Sequence, residues 1–167
     1  MTLAGRARVF GDDINTDYII SSSRKRATID AQALTPYLLE SIAPGFAASV
    51  QSGDVLVAGK NFGCGSAMEV AVTVIQAAGI SAVLAPSFAR SFFRNAINNG
   101  LPVVSCETRA IGEGDRLSIN IATETVTVRN ETRGTLIPAA PIRPIVLAIL
   151  RHGGLVPYLT AHPGWQG

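Results

Sequence analysis

The chain has 167 residues, of which 47% are hydrophobic and only 16% charged, with 14 Lys and Arg against 12 Asp and Glu for a net charge of +2. That length suits one domain over residues 1–167 with a core that needs no disulfide or metal staple. Charge this far below the ~25% of an average soluble domain points to a surface partly covered by another subunit. Without a Lys/Arg-rich block, nucleic acid is excluded as the main partner, and small anionic substrates stay open.

Cys64 and Cys106 stand in unrelated contexts, so neither a disulfide framework nor a CxxC motif can be written, and His152 and His162 alone are too few for a zinc site. No apolar stretch reaches 18 residues, and the N-terminus lacks the apolar core and cleavage pattern of a signal peptide. The expectation is a soluble cytoplasmic protein with no membrane contact.

In chain order, Arg6-Ala-Arg-Val-Phe10 alternates as a short strand and Gly11-Asp-Asp13 ends it. The polar run Ser21-Ser-Ser-Arg-Lys-Arg26 reads as an exposed loop, and Ala31 to Glu40 as a helix interrupted by Pro36. Asp54 to Ala58 is an apolar strand between Gly53 and Gly59. Ser66 to Ala78 carries Ala71, Val74, Ile75 and Ala78 at the spacing of a buried helix face, with Gly79 as its stop. Ser81 to Ala85 is a buried strand, Pro86-Ser87 opens a second helix ending at Gly100, and Pro102 to Val104 is a strand. On that second helix Phe88, Phe92 and Ala96 share one face and Arg90 and Arg94 another, the arginines facing solvent or a neighbouring subunit. Arg116 to Ile121 and Thr125 to Val128 alternate as a hairpin turning at Thr123-Glu124; a strand at Thr135 to Ile137 and a helix from Arg143 to His152 follow. Strands alternating with helices make this an α/β chain.

Gly59-Lys-Asn-Phe-Gly-Cys-Gly-Ser66 is a glycine-punctuated turn leading into a helix, where converging N–H groups and the helix dipole favour an anion. It lacks both the Gly-Lys-Ser/Thr ending of a P-loop and the third glycine of a dinucleotide fingerprint. Ser66 with Glu69 three residues on equally fits a capping box, a purely structural role. Asp13-Ile-Asn-Thr-Asp17 opens like a calcium loop, yet Tyr18 and Arg24 occupy the positions that need Gly and Glu, so Asx turns are the simpler account. Arg24-Lys-Arg26 is a solvated loop or a basic loop closing over a small polycarboxylate. Cys64 is more simply a small buried hydrophobe than a nucleophile.

Four segments together, Gly11-Asp-Asp-Ile-Asn-Thr-Asp17, Ala58-Gly-Lys-Asn-Phe-Gly-Cys-Gly-Ser66, Ser87 to Pro102 and Ile149-Leu-Arg-His-Gly-Gly-Leu155, resemble the small subunit of 3-isopropylmalate dehydratase, the swivelling domain of the aconitase superfamily. The resemblance spans nearly the whole chain and implies a three-layer β/β/α swivelling domain. It further implies a large-subunit partner whose cysteines carry a [4Fe–4S] cluster, this chain itself binding no cofactor or metal. The reaction implied is removal and re-addition of water on a 2-hydroxy dicarboxylic acid, 2-isopropylmalate becoming 3-isopropylmalate in leucine biosynthesis, with the cluster's open iron acting as a Lewis acid.

Carried onto this chain, the resemblance makes Ser66 the catalytic base that takes the proton from carbon. Gly65 and Ala67 contribute N–H groups to the substrate cradle, Arg26 and Arg24 are substrate contacts, and Asp17, Glu69 and Cys64 support the site. Where the family usually continues Ser-Ser-Arg-Glu-His, this chain reads Ser66-Ala67-Met68-Glu69-Val70. Met68 therefore stands where an arginine would hold a substrate carboxylate, and Val70 replaces the histidine. Another cation, Arg26 or Arg24, supplies the contact, or the substrate is another 2-hydroxy diacid (a methylated malate, citramalate or a homocitrate-like acid), or the chain is a non-catalytic regulatory subunit.

Overall fold

The computed structural model describes residues 1–123 and 125–164. Its strands are β1 (Thr2–Val9), β2 (Val55–Val57), β3 (Ala82–Ala85), β4 (Val103–Ser105), β5 (Arg116–Ala122), β6 (Thr125–Asn130) and β7 (Thr135–Pro138). They form one seven-stranded sheet in the order β4-β3-β2-β1-β5-β6-β7. β1 is the seam, because it pairs parallel with β2 on one side, Val9 opposite Val57, and antiparallel with β5 on the other, Leu3 opposite Ile119. The helices are α1 (Thr16–Ile19), α2 (Ser22–Ala27), α3 (Ala31–Leu34), α4 (Phe46–Ser49), α5 (Val70–Ala77), α6 (Arg90–Asn98), α7 (Pro144–Arg151) and α8 (Leu155–Ala161).

Two cores follow from the period-two alternation of the central strands. Leu56 of β2, Val83 and Ala85 of β3 and Val103 of β4 face the helices, meeting Val74 and Ile75 of α5 and Phe92, Ala96 and Ile97 of α6. Val55 and Val57, Ala82 and Leu84, and Val104 point the other way, onto Leu117, Ile119 and Ile121 of β5, Val126 and Val128 of β6 and Ile137 of β7. The antiparallel half therefore curls over the parallel half, giving the β/β/α layering. All the crossover helices lie on one face because strands β1 to β4 advance in one direction, and right-handed crossovers then fall on the same side.

The elements differ from the sequence reading at several points. Ser21 to Arg26 is not a loop: residues Ser22–Ala27 are helical, with Ser21 as N-cap. α5 begins at Val70 instead of Ser66, since Gly65 at φ +91° lies outside helical space and residues 66–69 lead in as irregular backbone. α6 begins at Arg90, leaving Phe88 before the helix, where it bridges to Phe62. The short helices α1 and α4 and the helix beyond Gly153-Gly154, α8, were not anticipated; Tyr158 of α8 closes the helical core. The hairpin register is as expected, with Ile119 opposite Val128 and Ala122 opposite Thr125; Glu124 of its expected turn lies outside the described residues. No single helix among the described residues is long and apolar enough to cross a membrane.

Candidate functional site

Parallel strands that run side by side deliver their following loops to one edge of the sheet, where ligands of open α/β sheets bind. Here the loops after β1, β2 and β3 are tied together by backbone hydrogen bonds. Gly63 N–H donates to Ile14 O at 2.8 Å, Thr16 N–H to Cys64 O at 2.8 Å, and Phe62 N–H to Ser87 O at 3.0 Å. The glycine turn thus lies between the acidic loop and the segment before α6.

Aromatic packing anchors it. Phe62 is fully buried and meets the Phe92 ring edge-on at 5.0 Å between centroids. Gly63 must be glycine, because at φ +78° a Cβ would strike the Phe92 ring. Gly65 is held the same way: at φ +91° its Cβ would lie 2.6 Å from the Asn15 side chain. Asn15 in turn caps α1, accepting the Asp17 N–H at 2.8 Å.

The acidic run works as a brace, with no three metal-ligating side chains converging among the described residues. Asp12 accepts the Lys60 N–H at 2.7 Å and Asp13 the Asn61 side-chain amide at 2.8 Å, each binding one loop to the next.

Ser66 emerges from this frame exposed. Its carbonyl accepts the hydroxyl of buried Thr16 at 3.0 Å, while its own Oγ has no partner among the described residues. The capping-box alternative does not hold: α5 has no side-chain cap, and Glu69 is exposed with only its carbonyl engaged, by Val72 and Thr73. The N–H groups of Gly65, Ser66, Ala67 and Met68 likewise donate to nothing among the described residues. A hydroxyl and four free N–H groups in succession on a turn stiffened from both sides offer donors suited to an oxyanion.

Cys64 is half-buried, with its carbonyl on Thr16 and its thiol pushed up by burial and by the nearby Asp13 charge, so it carries a neutral thiol. Cys106 is buried and its thiol is pushed up to about 12.

The basic segment divides three ways. Arg24 reaches Glu40, Nε to Oε1 at 2.8 Å, and stacks its guanidinium over the Tyr37 ring at 3.6 Å. Arg26 is exposed. Lys25 turns inward: its ammonium contacts the Met68 sulfur and pairs with Asp17 at 2.9 Å. Asp17 also accepts the Ser22 hydroxyl at 2.7 Å, and that bond together with Lys25 holds its carboxyl below the usual range. Sequence reasoning missed Lys25, Asn15 and Thr16. The available signal was Ser21 followed by three residues able to form a helical turn, which sends consecutive side chains 100° apart and so separates Lys25 from its neighbours.

Residues 43–108, holding β2, the glycine turn, α5, β3, α6 and β4, match the family described as the Aconitase C-terminal domain. The 3-isopropylmalate dehydratase small subunit 2 of Archaeoglobus fulgidus is 43% identical over 162 residues, 97% of each chain. That of Moorella thermoacetica is 44% identical over 162 residues, 96% of each. A crystal structure of 3-isopropylmalate dehydratase from Methanocaldococcus jannaschii superposes with a TM-score of 0.91 at 41% identity, covering 98% of this chain and 96% of that one. With the fold shared and identity this high from end to end, the chain belongs to the family of 3-isopropylmalate dehydratase small subunits.

Proposed function

We propose that this chain is the small subunit of a hydro-lyase that interconverts 2-isopropylmalate and 3-isopropylmalate by removing and re-adding water, with Ser66 as the base. The observation that carries the assignment of Ser66 is its exposed hydroxyl, unpartnered among the described residues, beside four free N–H groups at the loop edge of the parallel strands.

Dehydration takes a proton from one carbon and a hydroxyl from its neighbour. In this reading Ser66 Oγ accepts the proton and returns it when water re-adds in the opposite sense. The free N–H groups of residues 65–68 would stabilise negative charge on that oxygen or on a substrate carboxylate, at no cost in reorganisation because Gly65, Asn15 and Thr16 already hold the turn.

In this reading the chain works with a large subunit, as the name small subunit borne by its relatives implies. Its own residues do not fit an iron–sulfur cluster: both thiols are pushed up, and no trio of ligating side chains converges among the described residues. The cluster, supplying Lewis-acid chemistry, would belong to the large subunit.

Ser66→Ala in the assembled complex is expected to lower turnover of 3-isopropylmalate by about 10²–10⁴-fold. The thermal midpoint should stay unchanged, because the hydroxyl bonds to nothing in the described chain. Activity within a few-fold of wild type would remove Ser66 from the chemistry.

A further inference from the structure

We infer that Lys25, delivered by α2 against the face of Met68, is the cation that binds a carboxylate of the substrate. The inference rests on the proposed hydro-lyase function and names a contact within that same site.

Three observations lead there. The Lys25 side chain is only 13% exposed, yet its ammonium has one strong acceptor, the Asp17 carboxylate, itself 48% exposed. Its second contact is the Met68 sulfur, a weak acceptor. An ammonium carries three donors, so a nearly buried lysine with this environment keeps capacity for another oxygen ligand.

Location is the second observation. Met68 lies two residues beyond Ser66 and within the stretch of free N–H groups, so the ammonium sits beside the turn that carries the base. Third, the neighbouring Arg24 is otherwise engaged, on Glu40 and Tyr37.

The local chemistry is an exchange of supports. A neutral, flexible thioether at position 68 leaves room for a cation arriving from another element, whereas a guanidinium there would face Lys25 with like charge. Asp17 positions the ammonium and the Ser22 hydroxyl positions Asp17, so carboxylate binding is coupled to the placement of α2.

The test uses this chain assembled with its large subunit. Lys25→Met should raise KM for 3-isopropylmalate by about 10–100-fold, with a smaller fall in kcat. It should also erase the preference for the diacid over its half-amide as a competitive inhibitor, a readout that a purely structural lysine would not move. Met68→Arg alone should bring no gain, whereas Lys25→Met with Met68→Arg should restore KM to within about fivefold of wild type, the cation now coming from the turn itself. A Lys25→Met complex with KM and diacid preference within threefold of wild type overturns the inference, whatever its thermal midpoint. Should the wild-type complex bind but not turn over 3-isopropylmalate, the proposed function fails separately. Calorimetric titration of that acid into wild-type and Lys25→Met complexes then decides the lysine: equal affinities overturn it and a tenfold loss supports it.

Discussion

Asp54 shows how a single buried carboxylate can secure the strand seam. Its side chain is 3% exposed and faces Arg8, 10% exposed, at 3.2 Å and Arg6 at 2.8 Å, with the Gln51 N–H at 3.1 Å. Burial alone would raise its pKa, yet the hydrogen bonds from Arg6, Gln51 and Arg8 outweigh it and hold the carboxyl low. A depressed folded pKa means the stabilisation is complete above the ordinary value of 3.8 and lost as pH falls through the lower folded value. Asp54→Asn removes one of the two carboxylates that Arg8 meets, leaving Glu113 at 2.8 Å, and should cost about 2 kcal/mol near neutral pH. Urea midpoints of wild type and variant should differ by a constant amount above about pH 5 and converge only as the pH falls below 3.8 through the lower folded value. A gap that persists at low pH would place the effect in packing and not in charge.

At the scale of elements, the site is made of connections between short segments, none of which is stable alone. α1 and α2 are four and six residues long, well under the ~12 that an isolated helix needs, so caps and tertiary ties hold them. Asn15 serves both ends of one such tie, capping α1 and filling the space beside Gly65. Asn15→Ala should therefore cost about 1 kcal/mol, a fall of roughly 2–4 °C in thermal midpoint. Phe62 is the heavier anchor; truncating it to alanine should cost about 3–5 kcal/mol and loosen the turn from α6. Calorimetric scans of the two variants check both figures, and a loss for Asn15→Ala as large as that for Phe62→Ala would contradict this ranking.

For the whole molecule, the two cores lie on opposite faces of the same three strands, β2 to β4. Strands shared in this way cannot lose one core and keep the other, since every residue moved on one face shifts its neighbour on the other. Native-state hydrogen exchange should consequently give the β5–β6 hairpin and the β2–β3 pair the same opening free energy, and Leu84→Ala should lower both equally by about 2–5 kcal/mol. Separate values for the two regions would mean that the curled half opens independently. The exposed Tyr18 and Ile29 flank the basic helix at the loop edge, so the side of the molecule that carries Ser66 also presents apolar surface.

The α/β pattern, the hairpin, the strands bounded by Gly53, Gly59 and Gly100 and the glycine turn before α5 were legible in the sequence, because alternation and glycine are local signals that packing does not reverse. The four motifs also sufficed to suggest the family, and the long, high identity to its members agrees with them. Helicity at Ser22–Ala27 and the late start of α5 were not legible: the first depends on caps and on ion pairs to Glu40 and Asp17, the second on Asn15 and Thr16 gripping the turn from another loop. Spacing alone left Ser66 divided between cap and free hydroxyl, and made Arg24, Lys25 and Arg26 equivalent. Only the tertiary fold separates them, because which cation meets Met68 is decided by contacts spanning 43 residues, a distance over which no periodicity carries information.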